Sequence, residues 1–210
     1  MERIYEVYDR IADHFAATRA TPWPEVTSFL ANRGPVACAV DVGCGNGRHS
    51  ELLAERAGQV VGVDASGELL VVARADAVEA GYGGIFAPIR GDAGTLPLAD
   101  AVADLGLYVA TLHHLRPRAR RRGSLDEFAR VLGPDGLGLV SVWSVTHDRF
   151  DAAEGFDTIV PWTLPDGEQV PRFYHIYDPA EFSADISASA CRAIDRFESS
   201  GNCYAVVRGA

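Results

Sequence analysis

The order of apolar segments predicts an α/β fold: a seven-stranded, mostly parallel sheet with helices on both faces and a last strand running antiparallel. Three observations carry this. From the first apolar run, "ACAVDVG", onward, short apolar runs alternate with segments of helical periodicity. A turn rich in glycine, "GCGNG", joins that run to the helix after it. The chain closes on "CRAIDRFESS" and "NCYAVVRGA", which read as an antiparallel pair turning near Ser200–Asn202.

Taken in order, residues 2–17 repeat Ile4, Val7, Tyr8, Ile11 and Phe15 at helical spacing. Pro24 is placed to open a second short helix and Gly34 to close it. "ACAVDVG" is the first strand, and "GRHSELLAERAG" a helix with Gly58 just past its end. "QVVGVDAS" is the second strand and "GELLVVARADAVEAG" the next helix. "GIFAPIRGD" is a third strand whose Pro88 favours an edge. "AVADLGLYVA" and "DGLGLVSVWSV" are the fourth and fifth, separated by the helix "ARRRGSLDEFARVLG". About thirty weakly periodic residues follow Thr146 and read as a lid or binding loop. Asp178 as N-cap, Pro179 at the first position and Glu181 completing a capping box then start a helix. Residues 1–210 are expected to form one domain, with 1–34 a helical cap and 147–177 a substrate-side lid.

Composition sets limits. At 210 residues and 48% hydrophobic content the chain can bury a substantial core and is not a disordered one. Four scattered cysteines without a C-x-x-C pair fit a reduced cytosol, not a disulfide framework, and no metal site is expected. The start, "MERIYEVYDR", lacks a signal-peptide core, and no apolar run approaches the ~18 residues of a membrane span. A cytoplasmic protein is the expectation. All 19 basic residues are arginine against 29 acids, a formal net charge of -10. That balance fits adaptation to molar salt, and a GC-rich genome would also favour arginine over lysine. At ~1 M salt the Debye length is ~3 Å, so a local arginine patch decides phosphate binding and the global charge does not exclude it.

The glycine turn is the strongest chemical signal. Gly43, Gly45 and Gly47 let the backbone approach a ligand closely, at a G-x-G-x-G spacing unlike the G-x-G-x-x-G of dinucleotide binding. Asp41 ends the first strand, where a carboxylate meets a cationic ligand. Asp64 ends the second, placed for two ribose hydroxyls, and Asp92 ends the third, where it or its neighbouring amide reads an adenine edge. Together these resemble the Rossmann-like class I S-adenosylmethionine-dependent methyltransferases. The resemblance implies S-adenosylmethionine as cofactor, with Asp41, Gly43, Cys44, Gly45, Gly47, Asp64, Ala65, Asp92, Ala93 and Tyr108 around it. Cys44 reads as small and buried, not nucleophilic.

Flanking segments narrow the resemblance. "YDRIADHFAATRATPWPEV", "LHHLRPRARRRGSLDEFARVLGPDG" and "RFYHIYDPAEF" are similar to the methyltransferases that esterify carboxymethyluridine at the tRNA wobble position. Thr18, Arg19, Pro22, Trp23, Pro24, His113, His114, Leu115, Arg121, Arg122, Arg172, Phe173, Tyr174 and His175 carry the match. Phe173, in place of a tyrosine, and "GNCY", in place of an Asn-Trp pair, depart from the family's pattern. Ester formation suits the residues present. A carboxylate with a pKa near ~4 is already ionised at neutral pH, so the site must supply orientation, desolvation and counter-charge, not a strong base. Arg19 and Arg172 are the candidate carboxylate clamp, with His113 and His175 as hydrogen-bonding partners near the transferred methyl. Trp23 reads as a core staple more than a stacking platform. Arg116, Arg118, Arg121 and Arg122, just after the histidine pair, are expected with Tyr174 to contact tRNA phosphates and bases.

The resemblance also implies a small zinc-binding activator subunit. An apolar edge strand invites pairing, so a heterodimer through Gly84, Ile85, Phe86, Pro88 and Arg90 is the expectation. The alternatives are a small-molecule O- or C-methyltransferase, for which "TIVPWTLP" would be an apolar lid, and a non-catalytic scaffold for the activator.

Overall fold

The computed structural model describes residues 3–209. Helix α1 (Ile4–Thr18) carries the expected stripe and buries Val7 and Ile11, and α2 (Pro24–Ala31) opens on Pro24. Strands β1 (Val36–Val42), β2 (Ala57–Asp64), β3 (Phe86–Arg90), β4 (Ala103–Val109) and β5 (Leu132–Trp143) pair in parallel. Between them run α3 (Ser50–Ala54), α4 (Gly67–Glu79) and α5 (Arg118–Val131), with a single turn of 3₁₀ helix at Leu112–His114. Strand β9 (Asn202–Arg208) lies antiparallel between β5 and β8 (Arg192–Ser199), giving the order β3-β2-β1-β4-β5-β9-β8. The β8–β9 turn places Ser200 and Gly201 both at positive φ, as a tight two-residue hairpin turn requires.

The fold is therefore the expected one, with differences at three places. The helix after the glycine turn is short, and Gly58 sits inside β2 because that strand begins at Ala57. The stretch read as a loop is mostly a hairpin, β6 (Phe156–Thr163) with β7 (Gln169–Ile176). Asp178 does cap α6 (Pro179–Ser187), accepting from the Glu181 amide at 2.9 Å, but the Glu181 side chain turns away to His175 and closes no capping box.

Apolar clusters fill both faces of the sheet, one around Val40, Leu112, Phe128 and Val140, the other around Leu53, Val60, Leu107 and Leu139. A smaller cluster of Val7, Ile11, Trp162 and Val170 welds α1 to the β6–β7 hairpin over the carboxyl ends of the strands. In open α/β sheets that end is where ligands bind. Among the described residues no helix is long and apolar enough to cross a membrane.

Candidate active site

The glycine turn forms because the backbone must pass close beneath Thr111. A Cβ on Gly43 would fall 2.0 Å from the Thr111 hydroxyl oxygen, and its φ of +70° lies where side chains are strained. Two chambers meet there, one of about 440 Å³ beneath α1 and the hairpin, the other of about 690 Å³ toward the end of β3. Gly43, Asp64, Thr111 and His114 border both.

Asp64, Ala65, Asp92 and Ala93 all line the larger chamber. Asp64 accepts from the amides of Gly45 and Ser66, each at 2.8 Å, which orients the carboxylate while burial raises its pKa. Asp92 accepts from the Gly94 amide at 2.8 Å and pairs with Arg120. Cys44 is buried in the smaller chamber's wall, and burial lifts its thiol pKa well up, so it is no nucleophile. Asp41 and Gly47 support the turn and line neither chamber. Asp41 is buried beneath it, takes a 2.7 Å hydrogen bond from Ser50, and has its pKa raised by burial to about 7. Gly47 fits the turn against Ala73. Tyr108 is a correction: it is wholly buried, hydrogen-bonded to Ser124 and packed on Phe128, because its position on β4 points it into the helix layer and not at the crevice. The glycine turn, both orienting amides of Asp64 and the acids at the ends of β2 and β3 fit a nucleoside-bearing cofactor with an amino-acid tail.

The smaller chamber is lined by Arg19, Arg48, Arg149 and Arg172, set among Tyr8, Trp23, Trp143, Trp162 and Tyr174. None of the four forms an ion pair with a carboxylate of the described residues. Strand alternation puts Arg172 and Tyr174 of β7 on the crevice face. Arg172 is only 6% exposed. It donates from Nη1 to the Tyr8 hydroxyl at 3.2 Å, and its buried Nε has no partner. Its guanidinium lies 4.8 Å from the Trp162 ring centroid and that of Arg19 lies 4.9 Å away, so one indole braces both. Asn46 holds the Arg19 backbone by donating to its carbonyl at 3.3 Å.

The histidine pair is fixed by its neighbours. His114 Nδ1 lies 2.8 Å from the Phe173 carbonyl, which can only accept, so Nε2 accepts from the Tyr8 hydroxyl at 3.0 Å. His113 Nδ1 accepts from the Trp143 amide at 3.2 Å, and its ring stands 4.8 Å from that of Tyr174. Burial depresses both pKa values, that of His114 to about 3, so both imidazoles are neutral. Tyr8 thus ties Arg172 to His114, a role its place in an apolar stripe concealed. Trp162, Arg48 and Thr111 are further crevice residues that sequence reasoning did not single out.

Other expectations are corrected. His175 faces away from the crevice, as alternation from Tyr174 demands, and bridges Asp157 at 2.8 Å and Glu181 at 2.9 Å. Most of the arginine run is internal scaffolding. Arg118 and Arg122 both donate Nε to Asp185 on α6, at 2.8 and 2.7 Å. Arg121 is 4% exposed, lying against Tyr177 and near Glu181, and so is closed to RNA. Arg116 stacks over Phe173 and borders the larger chamber. Trp23 borders the crevice while packing on the core. At the sheet edge, Phe86 is buried against Tyr82 and cannot contact a partner by its side chain, whereas Gly84 is exposed and Ile85 half-buried. Pro88 is half-buried on the same strand, and Arg90 is drawn to the Ala65 carbonyl at 3.1 Å.

A family model described as a methyltransferase domain matches residues 40–140. An Encephalitozoon cuniculi protein named "Putative methyltransferase" is 35% identical over 181 residues, covering 83% of this chain and 80% of that protein. The Saccharomyces cerevisiae protein named tRNA (carboxymethyluridine(34)-5-O)-methyltransferase is 32% identical over 175 residues, 81% of this chain. The chain spans 60% of that protein's length and 21% of the length of a Macaca fascicularis protein bearing the same enzyme name. Among solved structures, the CcbJ methyltransferase of Streptomyces caelestis superposes over the whole of both chains with a TM-score of 0.81 at 19% identity. A chain of the complex of the Haloferax volcanii Trm112 methyltransferase activator with its methyltransferase superposes with a TM-score of 0.74 at 16% identity, covering 98% of this chain and 97% of that one. With a relative 35% identical and matched over most of both lengths, the chain belongs to the methyltransferase family.

Proposed function

We propose that the chain uses S-adenosylmethionine to esterify the carboxymethyl group of a modified wobble uridine in tRNA. The observation that carries this is the smaller chamber: four arginines line it and none pairs with a carboxylate among the described residues, in a chain of net charge -10. Such a site awaits an anion, and Arg is suited to hold a carboxylate through its planar fork. The yeast and macaque relatives, named for this reaction, support the same acceptor.

Bound with its nucleoside in the larger chamber and its amino-acid end at the glycine turn that lines the smaller one, S-adenosylmethionine would supply a methyl group activated by a sulfonium. Asp64 and Asp92 hold its nucleoside, and the Gly43–Gly45 turn cradles its other end. Arg172 and Arg19, braced by Trp162, clamp the acceptor carboxylate and aim one oxygen at the Gly43–Thr111 junction between the chambers. The oxygen so held would accept that methyl group, and the cofactor would depart as a neutral thioether with the electron pair of the C–S bond. No proton moves, so neutral His113 and His114 serve as orienting groups and not as bases. The α1 and hairpin roof excludes water, which strengthens the arginine–carboxylate attraction. The 147–177 segment acts as the lid over this side.

A small zinc-binding activator subunit is the proposed partner, adding a strand along the open edge of β3. Support comes from the sheet order, which leaves β3 at an edge, and from Val71 and Val78 of the adjoining α4, 65% and 66% exposed. Gly84, Ile85 and Pro88 remain in that interface. The complex acts on tRNA in the cytosol.

The test is transfer of labelled methyl to tRNA carrying carboxymethylated wobble uridine, followed by mild base. Label released as methanol is the expected result. Label retained on the RNA means base or ribose methylation and overturns the ester reading.

A further inference from the structure

Arg48 lies in the crevice yet has no part in the carboxylate clamp. It leaves the glycine turn next to Gly47, and its guanidinium stands 5.3 Å from the Trp23 ring centroid. The Trp23 main chain is anchored, since its amide donates to Nε2 of buried His49 at 3.2 Å, and the His49 ring meets the indole edge-on at 6.0 Å. Among the described residues Arg48 makes no ion pair or hydrogen bond through its guanidinium, although it is half-buried, with the repulsion of Arg19 opposed by the charge of buried Asp41. One carboxylate needs one counter-charge, which Arg172 and Arg19 provide on either side of Trp162. A further guanidinium held against an indole, and repelled by its neighbour, is poised for a further anion; the cofactor's own carboxylate is the competing occupant, and a protein already saturated with S-adenosylhomocysteine tests for one beyond it.

We propose that Arg48, backed by Trp23, is a second anion subsite that binds a phosphate adjoining the target nucleoside. The inference rests on the acceptor being a nucleoside of tRNA. The phosphate could belong to a chain's phosphodiester or to a free nucleotide, and the ligands below separate these.

Binding is measured to the whole protein saturated with S-adenosylhomocysteine, using carboxymethyluridine, its 5′- and 3′-monophosphates, and an anticodon stem-loop carrying it. A phosphate is expected to tighten binding roughly 10–100-fold in the wild type, the range of a charge-assisted contact. That ratio should fall toward one in Arg48→Gln and recover in part in Arg48→Lys. A gain from a monophosphate shows that a terminal phosphate suffices, and a gain confined to the stem-loop assigns the phosphodiester. No phosphate gain in the wild type, or a gain undiminished in Arg48→Gln, overturns the subsite. Methyl transfer to the same ligands keeps the two ideas apart. Transfer without a phosphate gain leaves the esterification reading standing and removes the subsite. A phosphate gain lost in Arg48→Gln, without transfer to any carboxylate, does the reverse. Failure of every ligand to bind removes both.

Discussion

Replacing both Arg118 and Arg122 by alanine strands a carboxylate with no other cationic partner among the described residues. Asp185 is fully buried, and both arginines reach the same oxygen, at 2.8 and 2.7 Å, with the Tyr177 hydroxyl 3.5 Å from the other. The arginine side chains stay 44% and 39% exposed, so water screens each of them. Removing either alone should cost about 1 kcal/mol, the upper end for solvent-screened pairs. Removing the second is different in kind, because an uncompensated buried charge costs about 3–5 kcal/mol. The pair should therefore couple by roughly 1–3 kcal/mol beyond the sum of the singles. At ~2–4 °C per kcal/mol for a chain of this size, the double variant should melt roughly 10 °C lower and each single only a few degrees lower. Urea unfolding followed by tryptophan fluorescence measures this, with Asp185→Asn as the third corner, in whose background either arginine should matter little. Strictly additive singles would refute the scaffold reading. A double variant of unchanged melting temperature but weakened tRNA binding would return the run to substrate contact.

Three further outcomes are expected. Arg172→Ala should lower kcat/KM for methyl transfer by roughly 10–100-fold, with Arg172→Lys intermediate, while S-adenosylhomocysteine affinity holds; equal loss of cofactor binding would mean a collapsed site. Burial holds His114 neutral down to a pKa of about 3, so from its ordinary 6.5 down to that value the unfolded chain binds more protons and stability falls on acidification. His114→Asn should flatten that slope in unfolding titrations between pH 4 and 7, and an unchanged slope would count against the assignment. Asp41 runs the other way: raised from 3.8 to about 7, its native form holds the proton, so its contribution is lost as pH rises through that window, and Asp41→Asn should gain stability above pH 7 relative to wild type.

The parallel sheet and the glycine turn were legible because their signals are local. A buried strand, a turn demanding positive φ and an acid at a strand end each lie within a few residues. The β6–β7 hairpin was not, since Pro161 and Pro171 pair across it and break up its alternating pattern. A two-stranded ribbon tolerates them because each strand keeps a free edge. The Asp166–Gly167 step, with Gly167 at positive φ, was the available hairpin signal. The arginine run misled for the opposite reason. A cluster of like charges invites an external partner, yet its counter-charge, Asp185, lies more than sixty residues away on α6. Tyr8 was hidden by counting as one more apolar position, although a phenol hydroxyl on a buried stripe must find a polar partner, here Arg172 and His114.

The distribution of charge, more than its sum, would let an acidic chain bind the acidic substrate proposed for it. Carboxylates on the outer surface act over a Debye length of ~8 Å at physiological salt, and less in stronger salt. The crevice arginines act at contact distance, and around buried Arg172 and half-buried Arg48 Coulomb energies per pair exceed those in water. They are also held at some cost, since burial and the neighbouring Arg19 draw the Arg48 pKa down to about 10 while leaving it charged. Aromatic faces offset part of that cost and bring no neutralising carboxylate. An arriving anion therefore gains twice, from its attraction to the guanidiniums and from relief of their mutual repulsion. A neutral acceptor would gain neither, so under the proposed function this arrangement would favour a carboxylate over a neutral acceptor.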